Sequence, residues 1–323
     1  MSQPTAASPP QRRPGRLGVG VVGAGRVGAV LGAALRAAGH AVVGVSAVSQ
    51  ESRERADALL PGVPVLPVPA VVERAELVLL AVPDDALADL VAGLAATGTW
   101  QPGQLVVHTS GLHGVGVLAP ARAAGAIPLA LHPAMTFTGT SLDLTRLVDC
   151  VVGVSAPSPV LPVAQALVVE MGAEPLVVPE ESRGLYHAAL SHGSNHLVTL
   201  VAQAAQVLRA AGVERTDRVL GPLLHAALDG ALGSGDEALT GPVARGDAGT
   251  VTRHREVLAA ATGHGQVGPD VLETYLAVAR ATAQRALAAG RLRPDAAGRV
   301  LDALADPPGE RPPGAGPAYG QTP

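Results

Sequence analysis

The most informative part of the chain is the apolar run Leu17-Gly18-Val19-Gly20-Val21-Val22 and the motif that follows it, Gly23-Ala24-Gly25-Arg26-Val27-Gly28. The apolar run predicts a short strand, and the Ala- and Leu-rich residues 26–38 predict a helix. Between strand and helix, Gly23 permits a tight turn, Gly25 lets the backbone approach a pyrophosphate, and Gly28 lets the helix pack closely. The G-x-G-x-x-G pattern in this context predicts a dinucleotide site formed by Gly23, Gly25, Arg26, Val27 and Gly28.

The composition limits the classes of protein to consider. A chain of 323 residues with 48% hydrophobic residues is long and apolar enough for two domains with their own cores. Only 2% of the residues are aromatic and the net charge is −4, which argues against a nucleic-acid partner. The single cysteine, Cys150, excludes a disulfide framework. No uninterrupted apolar run is long enough for a membrane span, so we expect a cytoplasmic protein.

The first part of the chain alternates apolar runs with helical segments. Eight strands are predicted, at Leu17–Val22, Ala41–Ser46, Val63–Leu66, Leu77–Val82, Leu105–Thr109, Ile127–His132, Cys150–Val154 and Leu176–Val178. Ala-rich segments between them predict helices at 26–38, 52–60, 84–96, 114–124 and 159–171. Alternating strands and helices are typical of a doubly wound parallel sheet. We therefore expect an α/β fold with an N-terminal Rossmann domain.

The strand signals end near Pro179. Helical periodicity then predicts an all-α domain with helices at 181–211, 216–232, 247–262, 268–289 and 294–305. Pro- and Gly-rich segments at both ends are typical of disordered tails. The predicted organisation is a tail at 1–15, an NAD(P)-binding domain at 16–178, a helical domain at 179–305 and a tail at 306–323.

The end of the second predicted strand bears on the choice of cofactor. An acidic residue that binds the adenosine ribose is expected there, but the strand ends at Ser46 and is followed by Ser49 and Arg53. A carboxylate would repel a 2′-phosphate, whereas hydroxyls and an arginine would bind it. These three residues favour NADP, with NAD possible. The alternative is that Arg53 and Arg55 belong to a solvated helix face.

Polar groups also follow two later strands. The carboxyl ends of parallel strands line the ligand crevice of such a sheet. We expect four residues to contact the cofactor, Val82, Pro83, His108 and Thr109, and Ser110 to contact the substrate. The alternative is that the hydroxyls only satisfy the edge of the sheet.

Two segments carry candidate catalytic groups. His132 ends the sixth predicted strand, and a histidine there can relay a proton near neutral pH or serve only a structural role. On the helix predicted at 181–211, His187, Ser191, Ser194 and Asn195 lie on one face. This helix opens the second domain, so we expect the stripe to face the substrate. A solvated face is the alternative.

The loop from Leu239 to Asp247 is unusually polar for a turn between helices. Thr240 is a candidate hydrogen-bond donor, and Arg245 could bind a substrate carboxylate with its two-pronged guanidinium. A capped loop with a surface arginine is the alternative. His192 and His196 have the spacing of a two-histidine metal pair, but no third ligand is evident, and we predict no metal.

These motifs together resemble a bacterial family that joins a Rossmann-like domain to a helical domain of unknown function 2520. The segments that carry the resemblance are the glycine motif, His108-Thr-Ser-Gly, His132-Pro, the helix from Tyr186 to Asn195, and Leu239-Thr-Gly-Pro-Val-Ala-Arg-Gly-Asp. The family is similar in architecture to pyrroline-5-carboxylate reductase, ketopantoate reductase and 6-phosphogluconate dehydrogenase-like oxidoreductases. The resemblance implies an NADP-dependent oxidoreductase that forms a homodimer through a helical domain, which also binds the substrate.

One position departs from the related β-hydroxyacid dehydrogenases. Those enzymes use a helix lysine with an asparagine four residues later; Asn195 matches the asparagine, but Ser191 stands at the lysine position. The proton donor is then His187, His132 or a water held by Ser191.

The predicted reaction is the NADPH-dependent reduction of a small oxo acid, with 2-dehydropantoate (ketopantoate) as the leading substrate. Two alternatives stay open. One is an imine reductase of the pyrroline-5-carboxylate type, and the other is a non-catalytic NADP-binding sensor or scaffold.

Overall fold

The computed structural model describes residues 16–305, so the predicted tails at 1–15 and 306–323 lie outside the described residues. The chain forms two compact units that divide after Gly193. Within residues 16–305, no helix combines the length and apolarity needed to cross a membrane.

The first unit contains a seven-stranded sheet with the strand order β2-β1-β3-β4-β5-β6-β7. All neighbouring strands are parallel except β5 and β6, which pair antiparallel. The strands are β1 (Gly18–Val22), β2 (Ala41–Ser46), β3 (Leu77–Leu80), β4 (Leu105–His108), β5 (Ile127–Pro133), β6 (Val151–Ser155) and β7 (Glu174–Val177).

Helices cover both faces of this sheet. They are α1 (Arg26–Ala37), α2 (Gln50–Leu59), α3 (Val68–Glu73), α4 (Asp84–Ala96), α5 (Ala119–Ala123), α6 (Leu142–Leu147) and α7 (Leu161–Glu170), with 3-10 turns at Val115–Leu118, Ser158–Val160 and Glu180–Ser182. Strand β3 shows why both faces are apolar. Leu77 and Leu79 belong to one core cluster, and Val78 and Leu80 belong to the other. Successive side chains of a strand point to opposite faces, so an unbroken apolar run is buried on both sides.

The second unit is helical. Helix α8 (Arg183–Ala210) begins in the first unit and continues into the second, which contains α9 (Thr216–Ser234), α10 (Gly241–Arg245), α11 (Ala248–Gly263), α12 (Pro269–Ala288), α13 (Pro294–Ala303) and a 3-10 turn at Gly235–Ala238. Its core is built around small side chains such as Ala279, Ala283 and Ala286, which allow α12 to pack closely against its neighbours.

The predicted fold class is confirmed, and one predicted strand is wrong. The run Val63–Leu66 forms no strand; only Val65 pairs, in a single bridge with Val45. Pro64 and Pro67 flank this bridge, and proline has no N–H to extend a ladder. The antiparallel pairing of β5 and β6 also departs from the expected parallel order. Their connection contains only the six-residue α6, which is too short to return the chain along the sheet as a crossover helix does.

The glycine turn between β1 and α1 is closely packed against the backbone. A Cβ added to Gly28 would lie 2.1 Å from the Gly23 oxygen and 2.9 Å from Ala81 Cβ. Gly23 itself has a φ of +94°, a conformation that glycine adopts at little cost. Backbone, rather than a movable side chain, therefore excludes any larger residue at position 28.

We expect Gly28→Ala to destabilise the protein by about 2–3 kcal/mol, because the added methyl group overlaps a backbone oxygen. The matched control is Gly93→Ala in α4, where an added Cβ meets nothing within 4 Å. That change should stabilise the helix by up to about 1 kcal/mol. Urea unfolding followed by circular dichroism measures both, and equal midpoints for the two variants would contradict the packing described here.

Candidate functional site

The N-terminus of α1 is open. Gly25 is its N-cap residue, no side chain caps the helix, and its first turn has no acidic residue. A Cβ added to Gly25 would meet no atom within 4 Å. The first N–H groups of a helix lack intrahelical partners and carry a partial positive charge. Gly25 therefore leaves space beside these groups, which suits the diphosphate of a dinucleotide.

The hydroxyls of Ser46 and Ser49, which were predicted to bind the cofactor near its adenosine ribose, form hydrogen bonds with backbone N–H groups of the protein. Ser46 is buried, and its Oγ accepts a hydrogen bond from the Gly23 N–H at 3.0 Å. Ser49 is the N-cap residue of α2 and accepts a hydrogen bond from the Ser52 N–H at 3.2 Å. The Ser46 hydroxyl thus fixes the glycine turn and the Ser49 hydroxyl fixes the start of α2, on which Arg53 is exposed.

A second arginine of α2, Arg55, packs against the same glycine as Arg26 of the glycine turn. A Cβ added to Gly139 would lie 3.0 Å from Arg55 Cδ and 3.1 Å from Arg26 Cγ, so both side chains pack over this glycine. Within the described part of the chain, Arg26, Arg53 and Arg55 form no salt bridge. Of these two arginines of α2, the sequence prediction placed only Arg53 among the cofactor contacts.

A buried carboxylate holds Gly139 in place. Asp143 is fully buried and accepts hydrogen bonds from the N–H groups of Thr138 and Gly139, at 2.8 and 2.7 Å, and from the Thr138 hydroxyl. Burial raises the pKa of Asp143, but these hydrogen bonds outweigh it, and the net pKa is below the ordinary value. Asp143 thus stays ionised and supports the loop on which the two arginines rest.

The loop after β4 is held by its own histidine. His108 is completely buried; its Nδ1 accepts a hydrogen bond from the Ser110 N–H, and its Nε2 lies 2.9 Å from the Gly114 oxygen. Burial lowers the pKa of His108 to about 4, so the ring is neutral at pH 7. The Ser110 hydroxyl accepts a hydrogen bond from the His113 N–H. The side chains of His108 and Ser110 therefore shape this loop from within.

The other predicted residues of this edge lie in the turns after their strands. Thr109 is half-buried, and its N–H donates to the Leu80 oxygen. Val82 follows β3, and Pro83 is the N-cap residue of α4. Glu180, which the sequence analysis missed, accepts hydrogen bonds from the N–H groups of Val115 and Gly116, each at 2.8 Å.

The centre of this edge is a buried arginine that the sequence analysis also missed. Arg183 is 1% exposed, and its guanidinium donates to Ser155 Oγ at 2.9 Å. It also donates to the backbone oxygens of Ser110, Ala130 and Gly153, each at 3.0 Å. One side chain thus joins the β4 loop to β5 and β6. Burial lowers the pKa of Arg183, and none of its four partners is a carboxylate.

Two predicted histidines and a tyrosine meet beside this arginine. The rings of His132 and His187 lie edge-to-face with centroids 6.1 Å apart, and Tyr186 Oη lies 3.1 Å from His132 Nδ1. A Cβ added to Gly111 would lie 2.7 Å from His187 Cδ2 and 2.9 Å from His132 Nε2. Gly111 therefore allows both imidazoles to approach the β4 loop.

The electrostatics of the cluster oppose positive charge. Burial, followed by the charges of Arg183 and His187, lowers the pKa of His132 to about 4. Burial raises the pKa of Tyr186, while Arg183 and a hydrogen bond from the Gly153 backbone partly counter the rise. At pH 7, His132 is therefore neutral and Tyr186 is protonated.

The remaining predicted site residues lie elsewhere. Ser191 lies one turn beyond His187 on α8 and is partly buried; Asn195 lies further along the same helix, in the second unit, and is exposed. Thr240, the N-cap residue of α10, and Arg245 are exposed in the second unit. The structure brings together only His132 and His187 of the four predicted catalytic residues.

The second unit has a large apolar pocket of about 650 Å³. Thr240, His254 and Tyr275 line it together with aliphatic side chains, among them Leu200, Val219, Leu223, Val257 and Val278. His254 Nδ1 lies 3.0 Å from Tyr275 Oη, which is the same contact that His132 makes with Tyr186. Within residues 16–305, no group of three or more histidine, cysteine, aspartate or glutamate side chains is placed to hold a metal ion.

Two family profiles match the chain. Residues 1–133 match the Rossmann-like domain, and residues 150–282 match the domain of unknown function DUF2520. The chain is thus similar to a Rossmann-like domain in its first part and to a DUF2520 domain in its second part. A search of the curated proteins found no match.

Solved structures share the fold of this chain. A Bacteroides fragilis protein proposed to be an NADP oxidoreductase is 21% identical, with a TM-score of 0.67 over 83% of this chain and 98% of its own. An imine reductase from Pseudomonas sp. is 18% identical, with a TM-score of 0.63 over 90% of this chain and 100% of its own. An imine reductase from Myxococcus stipitatus in complex with NADP⁺ is 19% identical, with a TM-score of 0.62 over 85% and 95%.

We expect Arg183→Met to destabilise the protein by about 3 kcal/mol or more. The change removes four buried hydrogen bonds, and three backbone carbonyl groups lose the donor that Arg183 provides. The matched control is Arg209→Met, because Arg209 is exposed on α8; it should change the free energy of unfolding by less than about 0.5 kcal/mol. Urea unfolding of the full chain measures both variants. Similar small losses in the two would show that Arg183 does not hold the edge together.

Proposed function

We propose that this protein is an NADP-dependent oxidoreductase that reduces a small oxo acid. The observation that carries the proposal is the space over Gly25 at the N-terminus of α1, in a unit whose sheet edge also carries His132, neutral at pH 7, beside His187. The structural likeness supports it, because one similar structure is an imine reductase in complex with NADP⁺.

In this proposal the glycine turn holds the diphosphate. Gly23, Gly25, Arg26, Val27 and Gly28 surround the open end of α1, and Ser46 and Ser49 fix the adjacent backbone. Arg53 and the pair Arg26–Arg55 supply positive charge for a 2′-phosphate, since an arginine binds phosphate through two parallel hydrogen bonds. Val82, Pro83, His108 and Thr109 belong to the turns that would shape the nicotinamide side of the site. NADPH, when bound, supplies a hydride.

The positive charge of Arg183 favours a reaction in which negative charge develops at the sheet edge. It disfavours a reaction that brings a cationic substrate there. Burial, and after it the charge of Arg183, lowers the pKa of His132, so both oppose positive charge at this position. The field of Arg183 stabilises the negative charge that develops on a carbonyl oxygen during reduction. This supports an oxo acid, with 2-dehydropantoate as the leading candidate.

The catalytic roles follow the same geometry. His132 and His187 are the candidate proton donors, since both rings lie against Gly111. Ser191 and Asn195 on α8 are proposed to position the substrate, and Ser110 to support the loop that faces it. Thr240 and Arg245 of the second unit remain predicted substrate contacts.

An imine substrate is the second candidate. Its support is that two of the similar structures are imine reductases. An iminium ion would carry positive charge into a site where Arg183 disfavours it, so this function would need a compensating anion on the substrate.

We also propose a homodimer. Large aliphatic side chains on the second unit are exposed, including Leu223 at 63% and Leu232 at 80%, and Leu223 lines the apolar pocket. Contiguous apolar surface of this kind usually marks an interface.

For the cofactor site, we expect Gly25→Ala to weaken NADPH binding at least tenfold, or about 1.4 kcal/mol, because the new methyl group occupies the space of the diphosphate. The protein itself has room for this methyl group, so the fold should be kept. Titration of NADPH fluorescence measures the Kd, with Gly93→Ala as the control. Unchanged affinity in Gly25→Ala, or no affinity in the wild type, would contradict the proposal.

For the reaction, oxidation of NADPH is measured with 2-dehydropantoate, other small 2-oxo acids and cyclic imines including pyrroline-5-carboxylate. Turnover of oxo acids supports the leading proposal, and turnover of imines alone favours the second candidate. Tight NADPH binding without turnover of any substrate would indicate a non-catalytic sensor or scaffold.

For the dimer, light scattering should give twice the chain mass for the wild type and the single chain mass for Leu223→Asp. The control is Leu142→Asp, which replaces a 66% exposed leucine of the first unit and should leave the dimer intact. A monomeric wild type would refute this part of the proposal.

A further inference from the structure

Tyr186 and His132 form a defined pair at the sheet edge. Tyr186 Oη lies 3.1 Å from His132 Nδ1, and the two rings are perpendicular, with centroids 5.6 Å apart. A Cβ added to Gly153 would lie 2.8 Å from Tyr186 Oη, so this glycine admits the hydroxyl against the backbone of β6. The tyrosine therefore has a fixed place, with the histidine on one side and the strand on the other.

The partners of the hydroxyl determine the direction of the hydrogen bond. Burial raises the pKa of Tyr186, so its hydroxyl carries a proton at pH 7, and His132 Nδ1 is the acceptor within hydrogen-bond distance of it. The hydroxyl proton is then free to point at His132 Nδ1. A neutral imidazole that accepts at one nitrogen carries its proton on the other. His132 therefore has its proton on Nε2.

The Nε2 atom of His132 faces the place where the β4 loop turns. It lies against Gly111, and no described residue forms a hydrogen bond with it. His187 also lies against Gly111, but no described residue hydrogen-bonds its ring to select a tautomer. Of the two candidate donors, only His132 has a partner that presets which nitrogen carries the proton.

We propose that Tyr186 is a positioning residue that keeps neutral His132 in its Nε2–H form, and that His132 is the group that protonates the substrate in the reduction. This inference rests on the proposed function and extends it, because it chooses between the two histidines and adds a residue that the sequence analysis did not include.

The proton transfers balance as follows. When hydride adds to the carbonyl carbon, the π electron pair of the C=O bond moves to the oxygen. That oxygen takes the proton from His132 Nε2, while Nδ1 takes the proton from Tyr186 Oη. His132 Nε2 then takes a proton from water, and Nδ1 returns its proton to the phenolate, which lies near the Arg183 guanidinium. The product gains one hydride and one proton, and the protein returns to its starting state.

The first experiment reads the tautomer directly. Nitrogen NMR of the full chain labelled with ¹⁵N-histidine distinguishes a protonated ring nitrogen from an unprotonated one, and His132→Gln identifies the signals of His132. We expect Nε2–H alone in the wild type and a mixture of both tautomers in Tyr186→Phe. The matched control is Tyr275→Phe, which removes the same type of contact from His254 and should leave the His132 signals unchanged.

The second experiment measures activity on the substrate found by the panel above. Tyr186→Phe should lower kcat tenfold or more, the range expected when a general acid loses its support, while KM changes by less than about twofold. An Nδ1–H or charged His132 in the wild type, or an unchanged tautomer and kcat in Tyr186→Phe, would overturn the inference. The predicted tautomer in a protein that turns over no substrate would instead count against the proposed function.

Discussion

A buried guanidinium without a carboxylate partner is the constraint on which the sheet edge depends. Arg183 donates only to three backbone oxygens and one serine hydroxyl. Removing a charge from water costs several kcal/mol unless hydrogen bonds replace the lost hydration, so these contacts must be kept together. They fix the β4 loop, β5 and β6 relative to the first turn of α8. The positive charge that remains is the reason, together with burial, that the neighbouring histidine stays neutral.

The same unit combines two electropositive features with different roles. The open N-terminus of α1 and the arginines over Gly139 suit an anionic cofactor, whereas Arg183 is enclosed and acts through its field. In the positive field of Arg183, neutral groups such as His132 and Tyr186 can hold protons at defined atoms without adding charge to the site. In the proposed function, the groups that bind charge and the groups that hold protons are therefore different residues.

How much of this could be predicted from sequence depends on the range of the interactions. The strand–glycine–helix order is local, and seven of the predicted strands occur in the sheet. The strand predicted at Val63–Leu66 does not form. Hydrophobic periodicity takes no account of Pro64 and Pro67, which lack the N–H groups that a strand ladder needs. Arg183 and Glu180 were missed because their partners lie far away in sequence, for example the oxygen of Ser110. Arg183 stands four residues before His187 on the predicted helix, and that spacing on one face was the available signal.

A crystal structure of the NADPH complex tests the central claim most directly. The account predicts that the diphosphate lies over Gly25 and that the nicotinamide C4 lies on the side of Gly111, close enough for a substrate carbon to lie about 3–3.5 Å from it and its oxygen to reach His132 Nε2. A diphosphate bound away from the α1 N-terminus, or a nicotinamide ring directed away from Gly111 and His132, would contradict it.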